Sequence, residues 1–308
     1  MSIRLGIEKA GKVDLLATIP AYLEQRKAGM DELTGNEWIT GRLGNLRVIV
    51  TQNAVTVKDG SLTKWYLNDN LKMMSRGDIQ RAFEKLSDCL HLPMFEADVK
   101  RLDFGKNIML NHAVTAYLPY LGSNGRYTRL EQKTAVNYKI TGRELCFYDK
   151  VAEIKSRGEN VPALYEGRAV GRYEKRYLHN IPKYFRRRSV NGHTLYDEHF
   201  YSELINDWYK DYLSIQKQKT VKIDLSMITT KEQMKMLGVL SLVEMQGGKL
   251  AALQNIKERQ LRKELTKKQA HDLKELIELS TKLKLQTKES DLIIEFDGKM
   301  REAVKYFR

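Results

Sequence analysis

Three short segments place ionisable side chains inside strand-like apolar runs: Lys100–Gly105 (KRLDFG), Leu145–Lys150 (LCFYDK) and Gly171–Tyr177 (GRYEKRY). Side chains alternate across a strand, so Leu102 and Phe104 face one way in the first segment and Arg101 and Asp103 the other. Asp103 and Glu174 could converge across neighbouring strands on a hard cation. Mg²⁺ takes one or two protein carboxylates and fills its other positions with waters and phosphate oxygens. Tyr148 stands at the end of its strand, just before a helix, at a rim where a phosphodiester could reach it. A phenolate can form a covalent intermediate, and a metal beside the phosphate would stabilise the developing charge. On spacing alone, the same carboxylates fit rim salt bridges to residues such as Arg101 or Lys175.

Other chemistries lack their residues. The chain has no glycine-rich Walker loop, no G-x-G-x-x-G after a strand and no G-x-S-x-G elbow. Its histidines, at 91, 112, 179, 193, 199 and 271, never fall in an H-x-H or H-E-x-x-H arrangement. Cys89 and Cys146 offer neither metal-ligand spacing nor a disulfide framework, which points to a reducing, cytoplasmic compartment. The first residues, MSIRLGIEKAGK, interrupt their apolar positions with charge and do not read as a signal peptide. No apolar run approaches the roughly 18 residues of a membrane span, so no membrane partner is expected.

The elements that must hold the three segments follow from periodicity. Trp38–Leu43, Leu46–Thr51 and Ala54–Lys58 alternate with period two, and Asp78–Leu90 sets Ile79, Phe83, Leu86 and Leu90 on one helical face. Val99–Ile108 reads as a strand, and Tyr127–Lys139 and Glu144–Tyr148 read as paired strands around Thr141–Gly142. A helix capped by Asp149 ends by Gly158, a further strand lies within Leu164–Leu178, and Tyr196–Ile215 is an aromatic-rich helix. The expected fold is α+β, a mainly antiparallel sheet with flanking helices. From about Ser226 the pattern becomes helical, broken at Gly247–Gly248, with apolar alternation returning only at Leu292–Phe296. This divides the chain into residues 1–224 and a helical appendage, 225–308, in which Lys249–Lys288 suits a coiled-coil or packing arm, while Leu265, Leu273, Leu276, Leu279 and Leu283 fit an ordinary amphipathic helix equally well. No internal repeat is detected.

Charge narrows the partner class. The 308 residues hold 53 Lys and Arg against 39 Asp and Glu, a net +14, and cationic side chains that neutralise phosphates give affinity for nucleic acid without reading a base. Between Tyr165 and Arg188 stand Arg168, Arg172, Lys175, Arg176, Lys183, Arg186, Arg187 and Arg188, opposed only by Glu166 and Glu174. Tyr165, Tyr173, Tyr177, Tyr184 and Phe185 interleave with them, the mixture of phosphate contacts and stacking faces that single-stranded nucleic acid uses. A solvated strand and helix with ordinary aromatic packing has the same composition.

At these residues the chain resembles the phage and plasmid replication initiators of the gene II/X type, which include the filamentous-phage nicking protein. The resemblance covers roughly residues 36 to 215. It rests on the order of Arg101-Leu102-Asp103, then Phe147-Tyr148 with Lys150, then Arg172-Tyr173-Glu174-Lys175-Arg176-Tyr177-Leu178. Gly60–Tyr66 and Arg129–Gln132 are similar to features of its Bacteroidetes-type members. It implies a divergent rolling-circle nuclease-like core and a metal-dependent nickase whose nucleophile matches Tyr148. Such an enzyme forms a 5′-phosphotyrosine and leaves a 3′-hydroxyl primer. From its own position, Lys150 could lower the phenol pKa or neutralise phosphate, or simply face solvent two residues past the strand end. Mg²⁺ or Mn²⁺ would sit on Asp103 and Glu174, with Glu131, or else His112, as third ligand; the family's His-hydrophobic-His relatives use paired histidines instead. Arg168, Arg172, Lys175, Arg176, Arg186, Arg187 and Arg188 are the candidate DNA contacts. The implied partners are origin DNA and a host helicase and polymerase; oligomeric state is open. A non-enzymatic origin binder, with Tyr148 merely packed, and a relaxase or transposase using the same tyrosine chemistry both fit these residues.

Overall fold

Period-two alternation in ten strands decides which face of one sheet is apolar and which is wet. The structure is a computed structural model, and it describes residues 1–11, 13–221, 228–281 and 287–307. The strands are β1 (Ser2–Gly6), β2 (Glu24–Met30), β3 (Glu37–Leu43), β4 (Leu46–Thr51), β5 (Ala54–Lys58), β6 (Asp98–Leu110), β7 (Thr128–Gln132), β8 (Ala135–Ile140), β9 (Arg143–Asp149) and β10 (Ala169–Tyr177). They pair antiparallel in the order β2-β3-β4-β5-β1-β6-β10-β9-β8-β7. The fold class is the α+β arrangement expected. The run Tyr127–Lys139 is divided into β7 and β8 by a turn at Lys133–Thr134.

The order contains a repeat that the residue types conceal. Outward from the centre, one half reads β1-β5-β4-β3-β2 and the other β6-β10-β9-β8-β7, with β1 and β6 antiparallel at the seam. In each half the first strand leads through a short helical connection into a four-stranded meander, and the meander ends in a longer helix, α1 (Arg76–Leu90) or α3 (Glu198–Leu213). The expectation of no internal repeat is therefore corrected at the level of topology. A local trace is that the two 3₁₀ turns, Ile19–Tyr22 and Leu118–Tyr120, each have proline at the second position and end in tyrosine.

The longer helices cover one face of the sheet. Phe83, Leu86 and Leu90 of α1 pack on Ile3, Leu5, Val48, Val50, Val55, Val57 and Val99. α1 starts at a capping box, in which Ser75 accepts from the Asp78 amide and Asp78 reaches back to the Ser75 amide. In the second half, Tyr201, Ile205, Trp208 and Tyr212 of α3 pack on Ile108, Tyr138, Leu145, Phe147 and Tyr173. The opposite face carries a small apolar cluster of Leu71, Ile154 and Val170. That cluster seats α2 (Lys150–Ser156), whose first turn is capped by Asp149 as the sequence indicates.

The helical region after residue 228 divides in two. The helices α4 (Lys231–Met245), α5 (Gly248–Leu261) and α6 (Lys267–Ser280) share a core of Val243, Ala252, Ile256, Ala270 and Ile277. The segment Lys249–Lys288 is thus not one arm: two helices, α5 and α6, pack on each other within it. The last helix, α7 (Asp291–Phe307), returns to the sheet and buries Phe296, Met300, Ala303 and Phe307 in the second core. Leu292–Phe296 is helical rather than alternating, because Ile293, Phe296, Met300 and Phe307 recur at helical spacing. The boundary between residues 224 and 225 lies outside the described residues. Among those described, no single helix is long and apolar enough to cross a membrane.

Lys175 belongs to this core and not to a DNA surface. Alternation along β10 turns Tyr173, Lys175 and Tyr177 toward α3, where Lys175 is 0% exposed. Its ammonium donates to Asp207 at 2.5 Å and lies 2.6 Å from Asp211. Tyr177 and Tyr184 donate to Asp207, and Tyr127 and Arg126 donate to Asp211. Removing one member of a buried ion network strands the others. Lys175→Met is therefore expected to lower unfolding free energy in urea by about 3–5 kcal/mol, while leaving the salt dependence of DNA binding unchanged.

Candidate functional site

The wet face of β6, β10 and β9 gathers the polar residues of all three sequence segments. Asp103 lies opposite Arg176, Glu174 opposite Gly105, and Tyr148 opposite Arg172. Asp103, Glu174, Arg172, Arg176 and Tyr148 therefore share one face. At the start of β6 the register with β1 shifts, Ser2 facing Arg101 but Ile3 facing Val99. The bulge lets Val99 and Leu102 both enter the core, while Arg101 and Asp103 point outward. Gly105 has its own steric reason. A Cβ there would stand 2.6 Å from the Tyr173 carbonyl and 2.8 Å from the Glu174 Cα.

These side chains line a cleft of about 740 Å³ at the seam between the two halves of the sheet. Lys58 to Thr63 and Met73 to Met74 form one wall, and Lys150, Glu153 and Arg157 of α2 form part of another. β1 pairs with β6 only as far as Arg101, and the flank of β6 beyond that point borders the cleft.

Glu174 is the hub of the face. Only 6% exposed, it accepts from Arg172 Nε on Oε2 and from Arg176 Nε on Oε1, both at 2.6 Å. Burial by itself would raise its pKa, but the charges and hydrogen bonds of Arg172 and Arg176 outweigh it and hold the carboxyl at about 2. Arg172 also donates to Asn107 at 3.1 Å, and Arg176 to Glu144 at 3.4 Å. The Tyr148 hydroxyl donates to Glu174 Oε2 at 3.4 Å. Burial, then the Glu174 charge, push the phenol pKa up, while Arg172 and Arg176 pull against them.

Asp103 is held by Arg101 Nε at 3.1 Å and by the amino group of Met1 at 3.5 Å. Lys150, 6% exposed, donates to Glu153 at 2.7 Å. Burial lowers the lysine pKa and the Glu153 contact partly restores it. Its ammonium lies 6.0 Å from the Tyr148 ring centre.

The fit of a divalent ion follows from the donor set. Asp103 and Glu174 stand diagonally across β6 and β10 on one face, two carboxylates of the kind Mg²⁺ or Mn²⁺ takes along with waters. Each is engaged by guanidinium groups here, which an ion would have to share. Among the described residues no group of three His, Cys, Asp or Glu side chains gathers as a cage. The expectation for Glu131 is corrected. It sits on edge strand β7 opposite Val136, with the parity of Phe147 and Tyr173, and pairs with Arg129 at 2.7 Å. His112 lies past the end of β6 beside Tyr117, away from the cleft.

Among the basic candidates, only Arg172 and Arg176 line the cleft. Arg168, Arg186 and Arg188 are exposed or half-buried, in the connections before and after β10. Arg187 donates to Glu203 at 3.1 Å and lies over the Phe200 ring. Sequence reasoning missed Glu153, Arg157 and Asn107. Lys150, Glu153 and Arg157 are spaced three and four residues apart on the helix that follows Tyr148, which was the available signal for the first two.

Residues 45–269 fit the sequence model of a family described as the N-terminal region of the replication-associated gene II protein of phage. No curated protein matches the chain.

The Arg172–Glu174–Arg176 cluster has a pH signature. The Glu174 pKa is depressed, so its stabilisation is complete above its ordinary value of 4.5 and is lost as pH falls toward about 2. Glu174→Gln leaves Arg172 without its ion-pair partner and Arg176 with Glu144 alone, at 3.4 Å. It is expected to destabilise the protein by roughly 3 kcal/mol at neutral pH and to flatten that acid limb, as read by denaturant unfolding across the pH range.

Proposed function

The chain belongs to the family of phage replication-associated gene II proteins, matching its N-terminal region, and from that membership we propose that it initiates rolling-circle replication by nicking one strand at an origin. It is a replication-associated protein; the nicking chemistry is our reading. The observation that carries it is the tyrosine in the cleft, Tyr148, which shares a face with Glu174, Arg172, Arg176 and Asp103.

In this reading the Tyr148 oxygen attacks the scissile phosphorus, and the bond from phosphorus to the 3′ oxygen breaks. The phenol loses its proton, the leaving oxygen gains one, and the products are a 5′-phosphotyrosine and a 3′-hydroxyl. Transesterification conserves the bond energy, so the same hydroxyl can later reverse the step without a nucleotide cofactor. Glu174 orients the phenol rather than deprotonating it, because a carboxyl held at about 2 is a poor base. Arg172 and Arg176 have further N–H groups for the phosphate oxygens, a placement that supports charge stabilisation in the transition state. Lys150 adds positive charge at the cleft wall. Mg²⁺ or Mn²⁺ held by Asp103 and Glu174 would supply further charge neutralisation on phosphate.

The 3′-hydroxyl would prime a host polymerase, with a host helicase opening the duplex, in the bacterial cytoplasm. Arg168, Arg186, Arg187 and Arg188 are proposed as sequence-independent phosphate contacts.

The test uses purified full-length protein, a supercoiled plasmid carrying the origin of the source replicon, and Mg²⁺ or Mn²⁺. Wild type should yield a nicked circle with protein attached, and Tyr148→Phe should lower adduct formation by at least roughly a thousandfold with origin affinity retained, since only the attacking oxygen is removed. An adduct formed by Tyr148→Phe would overturn the assignment. Asp103→Ala should likewise abolish cleavage and spare most of the affinity, which rests on the basic surface.

A further inference from the structure

A second set of cations runs out of the cleft across the other half of the sheet. On the wet face Arg42 of β3 lies directly opposite Arg47 of β4, and Arg47 directly opposite Lys58 of β5. Lys58 lines the cleft, as do Lys100 and Arg101 of β6. Between them lies β1, where Ser2 faces Arg101 and Ile3 faces Val57, so the row meets the seam at the bulge that presents Asp103. From β3 to β6 is four strand steps, about 19 Å at the usual strand spacing.

Like charges directly opposite one another destabilise a sheet, and here three occur in succession with little to offset them. Asp59 is shared by Arg47 at 3.5 Å and Lys58 at 4.0 Å, and it is itself 57% exposed. Arg42 donates to the Asn45 carbonyl at 3.5 Å and has no ion pair among the described residues; Glu24 is its opposite residue on β2. The side chains of Arg47 and Lys58 are 43% and 38% exposed, so their charged ends remain open to a ligand. A sheet face that keeps such a row suits a polyanion laid across the strands.

We propose that the single strand of DNA leading away from the cleft crosses this face, its phosphates held in turn by Lys58, Arg47 and Arg42. The inference rests on the DNA-processing reading above, but not on nicking. It names the direction in which bound DNA leaves the site and a contact surface outside the tyrosine-bearing half of the sheet.

The experiment measures anisotropy of labelled oligothymidylate, about 8 and about 25 nucleotides long, with full-length protein over a range of salt. For the long probe, wild type should show the steeper fall of log affinity with log salt. Arg42→Ala/Arg47→Ala/Lys58→Ala should reduce that slope by about 2, from about 0.7 per phosphate contact, and that of the short probe, which reaches Lys58 alone of the three, by no more than about 0.7. Arg42→Lys/Arg47→Lys should keep the wild-type slope. The triple variant should melt no lower than wild type, because repulsion is relieved. Equal slopes for wild type and triple variant, or loss of slope in the charge-conserving variant, would overturn the track. A slope change as expected, with no covalent adduct at Tyr148, would support the track and remove the nicking reading instead.

Discussion

Strand β10 carries ionised residues on both faces, and the neutralisation of both sets is the constraint that organises the second half of the molecule. Inward, Lys175 is satisfied by Asp207 and Asp211 of α3. Outward, Glu174 is satisfied by Arg172 and Arg176 on its own strand. Burying an unpaired charge costs several kcal/mol, so neither face can shift register without stranding ions on the other. A one-residue slip would carry Lys175 into the cleft and Glu174 under the helix, reversing every partner at once. The cleft geometry is thereby tied to the packing of α3 on the far side of the sheet.

That coupling also sets what the sequence could disclose. The strands Leu46–Thr51 and Ala54–Lys58, the helix ending at Leu90 and the Asp149 cap all follow from local periodicity or capping chemistry. So does the placing of Asp103 and Glu174 on one face of neighbouring strands, given a strand on each. Lys175 was not legible as a core residue because the nearer of its partners lies 32 residues on, in α3, and basic neighbours in sequence pull the eye toward a common role. Glu131 failed for a related reason: chain proximity to the Tyr148 strand says nothing about face, and a two-residue turn at Lys133–Thr134 fixes the parity. The repeat of β1–β5 in β6–β10 escaped notice because topology conserves pairing order and apolar pattern, not residue identity. α7 was obscured by alternation over five residues, too short a window to separate period two from 3.6.

The cleft itself is a product of unequal strands at the seam. β6 spans Asp98–Leu110, whereas β1 spans only Ser2–Gly6, so one flank of β6 lacks a full-length neighbour. Filling it would require a longer β1; instead the segment from Asn70 to Met74 lies alongside, with the Asn107 amide donating to the Leu71 carbonyl at 2.9 Å. A concave, polar-lined space thus opens at the junction of two repeats, a common position for binding sites. It draws walls from both halves, which explains why cations of β5 and β6 meet there.

Tyr148 makes the last constraint explicit. Its phenol is held protonated by burial and by the charge of Glu174, the same carboxylate that accepts its hydrogen bond. Glu174 cannot take the proton readily while two guanidinium groups keep its pKa at about 2. In the resting arrangement, then, the phenol is oriented and keeps its proton. A phosphodiester entering the face would compete for Arg172 and Arg176, since each uses Nε for Glu174 and has further N–H groups to offer. Sharing those cations would bring positive charge to the attacked phosphate while Glu174 keeps the phenol oriented. Under the proposed chemistry, activation of the nucleophile therefore belongs to the complex with DNA rather than to the free protein, where burial and the Glu174 charge keep the phenol protonated.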